Sequence, residues 1–179
     1  MKIALCGRPC SGKSAVAKLL SEEFALKHFS TGDFMRSLAM ERGYTIEIFA
    51  QKTPQEIDRM VDAWAEHIGK TEEDFIIDSR LAFHFIPDAL KIFLDVSYEE
   101  GARRIFLKQR VSEAKAESVE ELTKRNQERW DADRKRYIHL YSLDIENPEN
   151  YDLMLDTTGR PIEDVIAQIR RALSTLQKA

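Results

Sequence analysis

Apolar positions along the chain follow two rhythms. Short unbroken apolar runs alternate with longer stretches in which apolar residues return every three or four positions, the signatures of buried strands and of one-sided helices. Ile3-Ala4-Leu5-Cys6 predicts a first strand, and Ala15, Val16, Leu19, Leu20 and Phe24 then predict a helix over about Lys13 to Ala25. Leu26 to Ser30 reads as a second short strand. Thr31-Gly32-Asp33 offers a turn and an N-terminal cap for a helix reaching Arg42, with Gly43 as its stop. Two further helical segments are expected, at about Thr45 to Lys52 and Pro54 to Ile68, with Pro54 in a first turn and Gly69 past the end. Asp74-Phe75-Ile76-Ile77-Asp78 and Lys91-Ile92-Phe93-Leu94-Asp95 are apolar runs ending in an acid, and both predict buried parallel strands. A helix from about Tyr98 to Arg110, a polar interval from Val111 to Ser118 and a helix from about Val119 to Leu140 follow. Tyr151 to Asp156 predicts the last strand and Pro161 to Leu176 a closing amphipathic helix.

Strands alternating with helices predict an α/β fold: a parallel sheet covered on both faces, with ligands at the carboxyl ends of the strands. A length of 179 residues suits a single domain. The formal net charge of −4 gives no generally basic surface for nucleic acid, and no apolar run approaches the ~18 residues a membrane span needs. Met1-Lys2 runs directly into the first strand, so no leader segment is expected and a cytoplasmic protein is. Cys6 and Cys10 lack a second Cys/His pair, which argues against zinc; Cys6 reads as strand core and Cys10 as a loop residue.

The residues joining the first strand to the first helix change the picture most. Gly7-Arg8-Pro9-Cys10-Ser11-Gly12-Lys13-Ser14 matches G-x-x-x-x-G-K-[ST], a loop whose backbone N–H groups and following helix N-terminus converge on a polyanion. A nucleoside triphosphate is expected there, held by Gly7 through Ala15, with Lys13 reaching the β/γ-phosphates and Ser14 holding Mg²⁺. Ser30-Thr31-Gly32-Asp33-Phe34-Met35-Arg36 suggests a second anion site, since an arginine one turn into a helix pairs in a fork with a phosphate. A third cluster is Arg125, Arg129, Asp133 and Arg136, which at about 100° per residue share an arc of roughly 80° on one helix. It reads either as a phosphate-binding stripe or as a solvated face laced with i,i+4 pairs. Trp130, Tyr137 and Tyr141 read as the core face of the same helix.

Ser-Thr-Gly-Asp-x-x-Arg at this distance from a P-loop resembles the monophosphate-binding segment of nucleoside monophosphate kinases. With Met40-Glu41-Arg42-Gly43-Tyr44-Thr45-Ile46, Glu56-Ile57-Asp58-Arg59 and Asp78-Ser79-Arg80-Leu81-Ala82, the chain is similar to the short archaeal-type cytidylate kinases from residue 1 to about residue 170. The resemblance implies a P-loop three-layer α/β/α fold with a five-stranded parallel sheet, a monophosphate-binding segment at about 31–70 and a short lid at about 108–130. It implies Thr31, Gly32, Asp33, Arg36, Arg80, Arg129 and Asp133 around the acceptor nucleotide, with Asp133 on its sugar. Asp78 is implied as the acid that holds Mg²⁺ through water, and Lys13, Arg104, Arg129 and Arg136 as the charges on the transferring phosphoryl group, with Lys108 and Arg110 as further candidates. Arg160, in Thr157-Thr158-Gly159-Arg160-Pro161, is implied beside the adenine of ATP. Ser79 stands where the family usually carries glycine.

The expectation is therefore a monomeric kinase that uses Mg²⁺ and ATP to phosphorylate CMP or dCMP, without nucleic acid or membrane as partner. Rival readings are an adenylate kinase, another P-loop kinase of a small metabolite, and a nucleic-acid-dependent ATPase using the Arg125 to Arg136 stripe. Adenylate kinases usually carry Asp-Gly-Phe-Pro-Arg after the third strand, where this chain has Asp78-Ser79-Arg80. A guanine-nucleotide switch would need an Asn-Lys-x-Asp motif, which the chain lacks.

Overall fold

A computed structural model describes residues 1–45, 48–49, 54–108 and 118–176. Five strands, β1 (Lys2–Gly7), β2 (Lys27–Ser30), β3 (Phe75–Asp78), β4 (Leu90–Asp95) and β5 (Leu153–Asp156), form one sheet of order β2-β3-β1-β4-β5. The helices among the described residues are α1 (Lys13–Phe24), α2 (Thr31–Glu41), α3 (Pro54–Thr71), α4 (Ala82–Phe85), α5 (Tyr98–Lys108), α6 (Val119–Tyr141) and α7 (Ile162–Leu176). Parallel register aligns the acids at the strand ends: Leu5 and Ser30 both lie opposite Asp78, and Asp95 lies opposite Asp156. This is the α/β class expected from the alternation of strands and helices. The chain divides into two compact units, Met1–Cys6 with Ala17–Lys91 and Gly7–Val16 with Ile92–Ala179.

In the first unit, Ile3, Ala4, Leu5 and Cys6 of β1 and all four residues of β3 are buried, as strands covered on both faces require. Helix α1 ends one residue before the predicted Ala25 because Ala25 takes a left-handed conformation at φ 54°, and Leu26 N–H closes the turn on Ser21 O at 2.9 Å. Gly43 does the same for α2 at φ 71°, with Tyr44 N–H on Ala39 O at 2.9 Å. Two expectations need correcting. Thr31-Gly32-Asp33 is the first turn of α2 rather than a turn before it, because Ser30 takes the capping role and accepts from Asp33 N–H. Gly69 lies inside α3 rather than past its end. A Cβ there would approach Ile86 Cγ1 to 3.0 Å, so the glycine serves close packing and not helix termination. The short helix α4 was not predicted, being a single turn with no periodicity to read. Phe34 of α2 stacks on Trp64 of α3 at 4.7 Å and 8°, and Ala39, Phe49 and Ile57 form a small core beside it. The expected helix at Thr45 to Lys52 lies mostly outside the described residues.

In the second unit, α5 and α6 pack through Ala102, Ile105 and Leu122, with Cys10 and Val119 at the edge. Ser118 caps α6 by accepting from Glu121 N–H. Ser142 ends the helix in the left-handed region at φ 55°, and a 3₁₀ turn, Pro148–Asn150, precedes β5. Val165, Ile166, Ile169 and Leu173 form the buried stripe of α7. Residues 109–117, which include Arg110 and most of the polar interval before α6, lie outside the described residues.

Candidate active site

The loop after β1 is shaped by contacts that only certain residues permit. Gly7 has φ 141°, and a Cβ on it would sit 2.1 Å from Leu94 O, so no side chain fits. Arg8 N–H donates to Leu94 O at 3.2 Å, and Ser11 N–H donates to Arg8 O at 3.3 Å. Cys10 and Gly12 also lie at positive φ, 64° and 93°. The Lys13 ammonium donates to Gly7 O at 2.9 Å and Arg8 O at 2.7 Å, which holds its charge over the loop. Ser14 and Ala15 are exposed in the first turn of α1, where backbone N–H groups have no intrahelical partner. Pro9 is half-buried. The result is a concave set of donors and one cation, suited to a polyphosphate.

The loop is braced from behind. Arg104 of α5 donates to Cys10 O at 3.4 Å, to Thr157 Oγ1 at 3.2 Å and to Thr157 O at 2.5 Å, and its Nε donates to Glu100 at 3.1 Å. The Thr157 hydroxyl, 2% exposed as a residue, lies 2.8 Å from Asp95 O and 3.1 Å from Ser11 O, and its one proton serves either carbonyl. Arg104, which the resemblance implies on the transferring phosphoryl group, is thus also a tie between the loop and the residues after β5. Lys108 ends α5. Beyond Thr157, Gly159 turns at φ 64°, and Arg160 lines a shallow hollow with Asp164, Ala167, Gln168 and Arg171. Hydrogen bonds from the Thr158 hydroxyl and N–H hold the Asp156 carboxyl below its ordinary range.

In the first unit the structure brings together Ser30, Thr31, Gly32, Asp33 and Arg36, with Asp78 in register opposite Ser30. Arg36 pairs with Asp33 at 2.5 Å on the surface, and its guanidinium lies 3.4 Å from where a Gly32 Cβ would be. Asp78 and Ser79 are buried at the end of β3, Ser79 N–H donates to Leu5 O at 3.2 Å, and Arg80 is half-buried just beyond.

Helix α6 divides the predicted stripe. Arg129 is exposed and Arg125 half-buried, but Asp133 is 5% exposed and belongs to the buried row Leu122, Asn126, Trp130, Asp133, Tyr137. The reading of this stripe as a wholly solvated face therefore fails at Asp133, whose carboxylate pairs with Arg136 at 2.9 Å. Arg136 also lies over the Tyr137 ring at 5.1 Å. Trp130 and Tyr137 are the core residues the spacing suggested, and Tyr141 is half-buried.

Sequence reasoning missed Glu146. Its carboxylate accepts from Arg8 at 2.9 Å and from Trp130 Nε1 at 2.8 Å, and Arg134 approaches it at 2.6 Å. Burial pushes its pKa up, but the hydrogen bonds from Trp130 and Arg8 and the nearby arginine charges outweigh this and leave it below the ordinary glutamate range. No motif spacing marks a glutamate so far from the loop in sequence. Oxygen donors of the Ser14 and Asp78 kind suit a hard divalent cation that keeps its waters and binds phosphate oxygens. Among the described residues no group of three or more His, Cys, Asp or Glu gathers to form a metal cage. Nor is any helix long and apolar enough to cross a membrane.

A family model described as an AAA domain matches residues 6–139. A cytidylate kinase of Archaeoglobus fulgidus is 34% identical over 179 residues, covering 97% of this chain and 94% of the relative. A S-adenosylmethionine-dependent nucleotide dehydratase of Lacinutrix mariniflava is 35% identical over 173 residues, but the match covers only 35% of that larger protein. Shikimate kinase of Aquifex aeolicus superposes over the whole chain with a TM-score of 0.60 at 19% identity, a likeness of fold. With a phosphate loop built around Gly7 and Lys13 and a full-length relative at this identity, the chain belongs to the cytidylate kinase family of P-loop kinases.

Proposed function

We propose that the protein transfers the γ-phosphoryl group of ATP to the phosphate of CMP or dCMP, acting as a cytoplasmic monomer on free nucleotides. The observation that carries this reading is the phosphate loop with Lys13 held on the Gly7 and Arg8 carbonyls, in a chain 34% identical to a cytidylate kinase along its length. An acceptor phosphate oxygen bonds to the γ-phosphorus as the bond from that phosphorus to the β–γ bridging oxygen breaks, releasing ADP and the nucleoside diphosphate. The acceptor oxygen is already a usable nucleophile, so no general base is needed and catalysis is positioning and charge neutralisation.

In this reading Gly7 through Ala15 hold the triphosphate, and Lys13 neutralises charge developing on the β–γ bridge. Mg²⁺, when bound, neutralises phosphate charge; the Ser14 hydroxyl would hold it directly and Asp78 through water. Thr31, Gly32, Asp33, Arg36 and Arg80 take the acceptor phosphate. Arg104, Arg129 and Arg136 take the transferring group, and Asp133 binds the acceptor sugar. Arg160 lies beside the adenine, and residues 31–70 and 108–130 are the acceptor segment and lid of one kinase domain. Residues 119–130 of that lid are the first half of α6. One coupled assay, with ATP and each of CMP, dCMP, UMP, AMP and GMP, tests the assignment. CMP or dCMP is expected to give the highest kcat/KM; fastest turnover of AMP reassigns the protein to adenylate kinase, and no turnover of any monophosphate overturns the class.

A further inference from the structure

Arg8 is one of the unspecified positions of the phosphate-loop pattern, yet its side chain is more fully engaged than any role in the pattern requires. The guanidinium donates to Glu146 at 2.9 Å, lies 3.2 Å from Asp95 Oδ1 through Nε, and sits 4.9 Å above the Tyr98 ring. Its backbone is engaged just as fully. Arg8 N–H is bound to Leu94 O, and Arg8 O receives both Ser11 N–H and the Lys13 ammonium, the latter at 2.7 Å. The lysine that meets the triphosphate is thus held by a residue whose other end is anchored on a glutamate.

Glu146 is itself fixed by helix α6. It accepts the Trp130 indole N–H at 2.8 Å, and Arg134 pairs with it at 2.6 Å while forking onto both oxygens of Asp144 at 2.7 and 2.5 Å. The turn that carries Glu146 is tied down by Glu146 N–H on Asp144 Oδ1 at 3.0 Å, by Asn150 on Asp144 O at 2.7 Å, and by Tyr151 OH on Ile145 O at 2.8 Å. Ile145 beside it is buried. Trp130 lies between Arg129 and Asp133 in sequence, so one carboxylate connects the loop to the helix that carries the proposed phosphate-binding arginines. A charged acceptor shared by two cationic side chains and an indole makes stronger hydrogen bonds than a neutral one.

We propose that Glu146 is a positioning residue for ATP: through Arg8 it sets the phosphate loop and Lys13, and through Trp130 it couples that loop to α6. The proposal rests on the kinase assignment only in that ATP is the ligand of the loop. A glutamate that merely stabilises the turn lowers thermal stability when altered and leaves substrate affinities alone. A positioning glutamate splits the kinetics.

Glu146→Gln keeps the shape and removes the charge. It is expected to raise the KM for ATP about tenfold, the equivalent of one charge-assisted hydrogen bond at the low end of its range, with the acceptor KM within about twofold of wild type. Arg8→Gln, which leaves Glu146 bound to Trp130 and Arg134, should raise the ATP KM by a similar factor, and the double variant should add less than about twofold to either. Trp130 can be read alone in a Trp64→Phe chain, since the sequence holds two tryptophans. Its emission should change on saturation with a non-hydrolysable ATP analogue, and that change should vanish in Arg8→Gln. An ATP KM within about twofold of wild type in Glu146→Gln or Arg8→Gln, fully multiplicative effects in the double variant, or an emission change that survives Arg8→Gln each overturns the coupling and leaves the kinase assignment standing. A wild-type chain that phosphorylates no monophosphate overturns both.

Discussion

A Cβ placed on Gly7 would lie 2.1 Å from the carbonyl oxygen of Leu94, so the last residue of β1 has no room for a side chain against β4. The phosphate loop begins at this contact. Gly7→Ala is expected to destabilise the protein by on the order of 3 kcal/mol or more, because backbone rather than a flexible side chain must move and φ 141° is also denied to alanine. Gly159→Ala, at φ 64° but with open space around its Cβ position, should cost only about 1 kcal/mol. Chemical denaturation of the two variants checks the difference; equal losses would mean that conformation alone, and not the Leu94 contact, requires Gly7.

Ala25 offers the opposite sign. It is exposed and left-handed at the end of α1, a position glycine occupies without steric strain. Ala25→Gly should stabilise the chain by about 0.5–1 kcal/mol, the relief of strain being partly offset by the greater freedom of glycine in the unfolded state. A lower melting temperature would contradict this.

The acceptor clamp is tested by Arg36→Ala and Arg80→Ala. Each should cost on the order of 2–4 kcal/mol in kcat/KM for the monophosphate while leaving the KM for ATP nearly unchanged. For Arg36 little effect on stability is expected, since its pair with Asp33 is an exposed i,i+3 contact. Parallel loss of ATP affinity in a folded variant would place these arginines on the other substrate.

Asp133 and Arg129 separate burial from exposure on one helix. Asp133→Asn should lower stability by about 1–3 kcal/mol, because a buried carboxylate beside Arg136 loses its charge, and should also raise the acceptor KM. Arg129→Ala, at an exposed position, should depress kcat with stability within about 0.5 kcal/mol. Wild-type kinetics in both variants would remove α6 from the site.

Acid should loosen the turn after α6. The hydrogen bond from Arg134 is the main cause that holds the Asp144 carboxyl below 3.8, its ordinary value. A carboxyl depressed in the folded state contributes stability that is fully present above its unfolded pKa and is lost as pH falls through the folded one. Unfolding free energy measured from pH 6 down to pH 2 should therefore fall less steeply in Asp144→Asn than in wild type. Equal slopes would show that Asp144 is not among the groups that drive acid unfolding.

Local patterns in the chain carried much of this. Continuous apolar runs announced β1, β3 and β4, because strands covered on both faces need no polar side. The eight residues from Gly7 to Ser14 announced the phosphate loop, since that chemistry depends on consecutive backbone groups and leaves its mark in consecutive letters. Gly43 as the stop of α2 was legible for the same reason: a left-handed residue at a helix end is a local demand. Gly69 misled because the identical letter met a different need, the closeness of Ile86, which lies far along the chain.

What the sequence by itself determined was the fold class and the phosphate loop, set by periodicity and by short spacing, while the acceptor residues entered only as what the resemblance to cytidylate kinases implies. Only the tertiary structure decided that Asp133 is buried, that Arg104 braces Cys10 and Thr157, and that Glu146 holds Arg8. Each of these depends on groups brought together from separated stretches of chain. Arg8 and Glu146 are 138 residues apart, and a hydrogen bond at that separation has no periodicity to betray it.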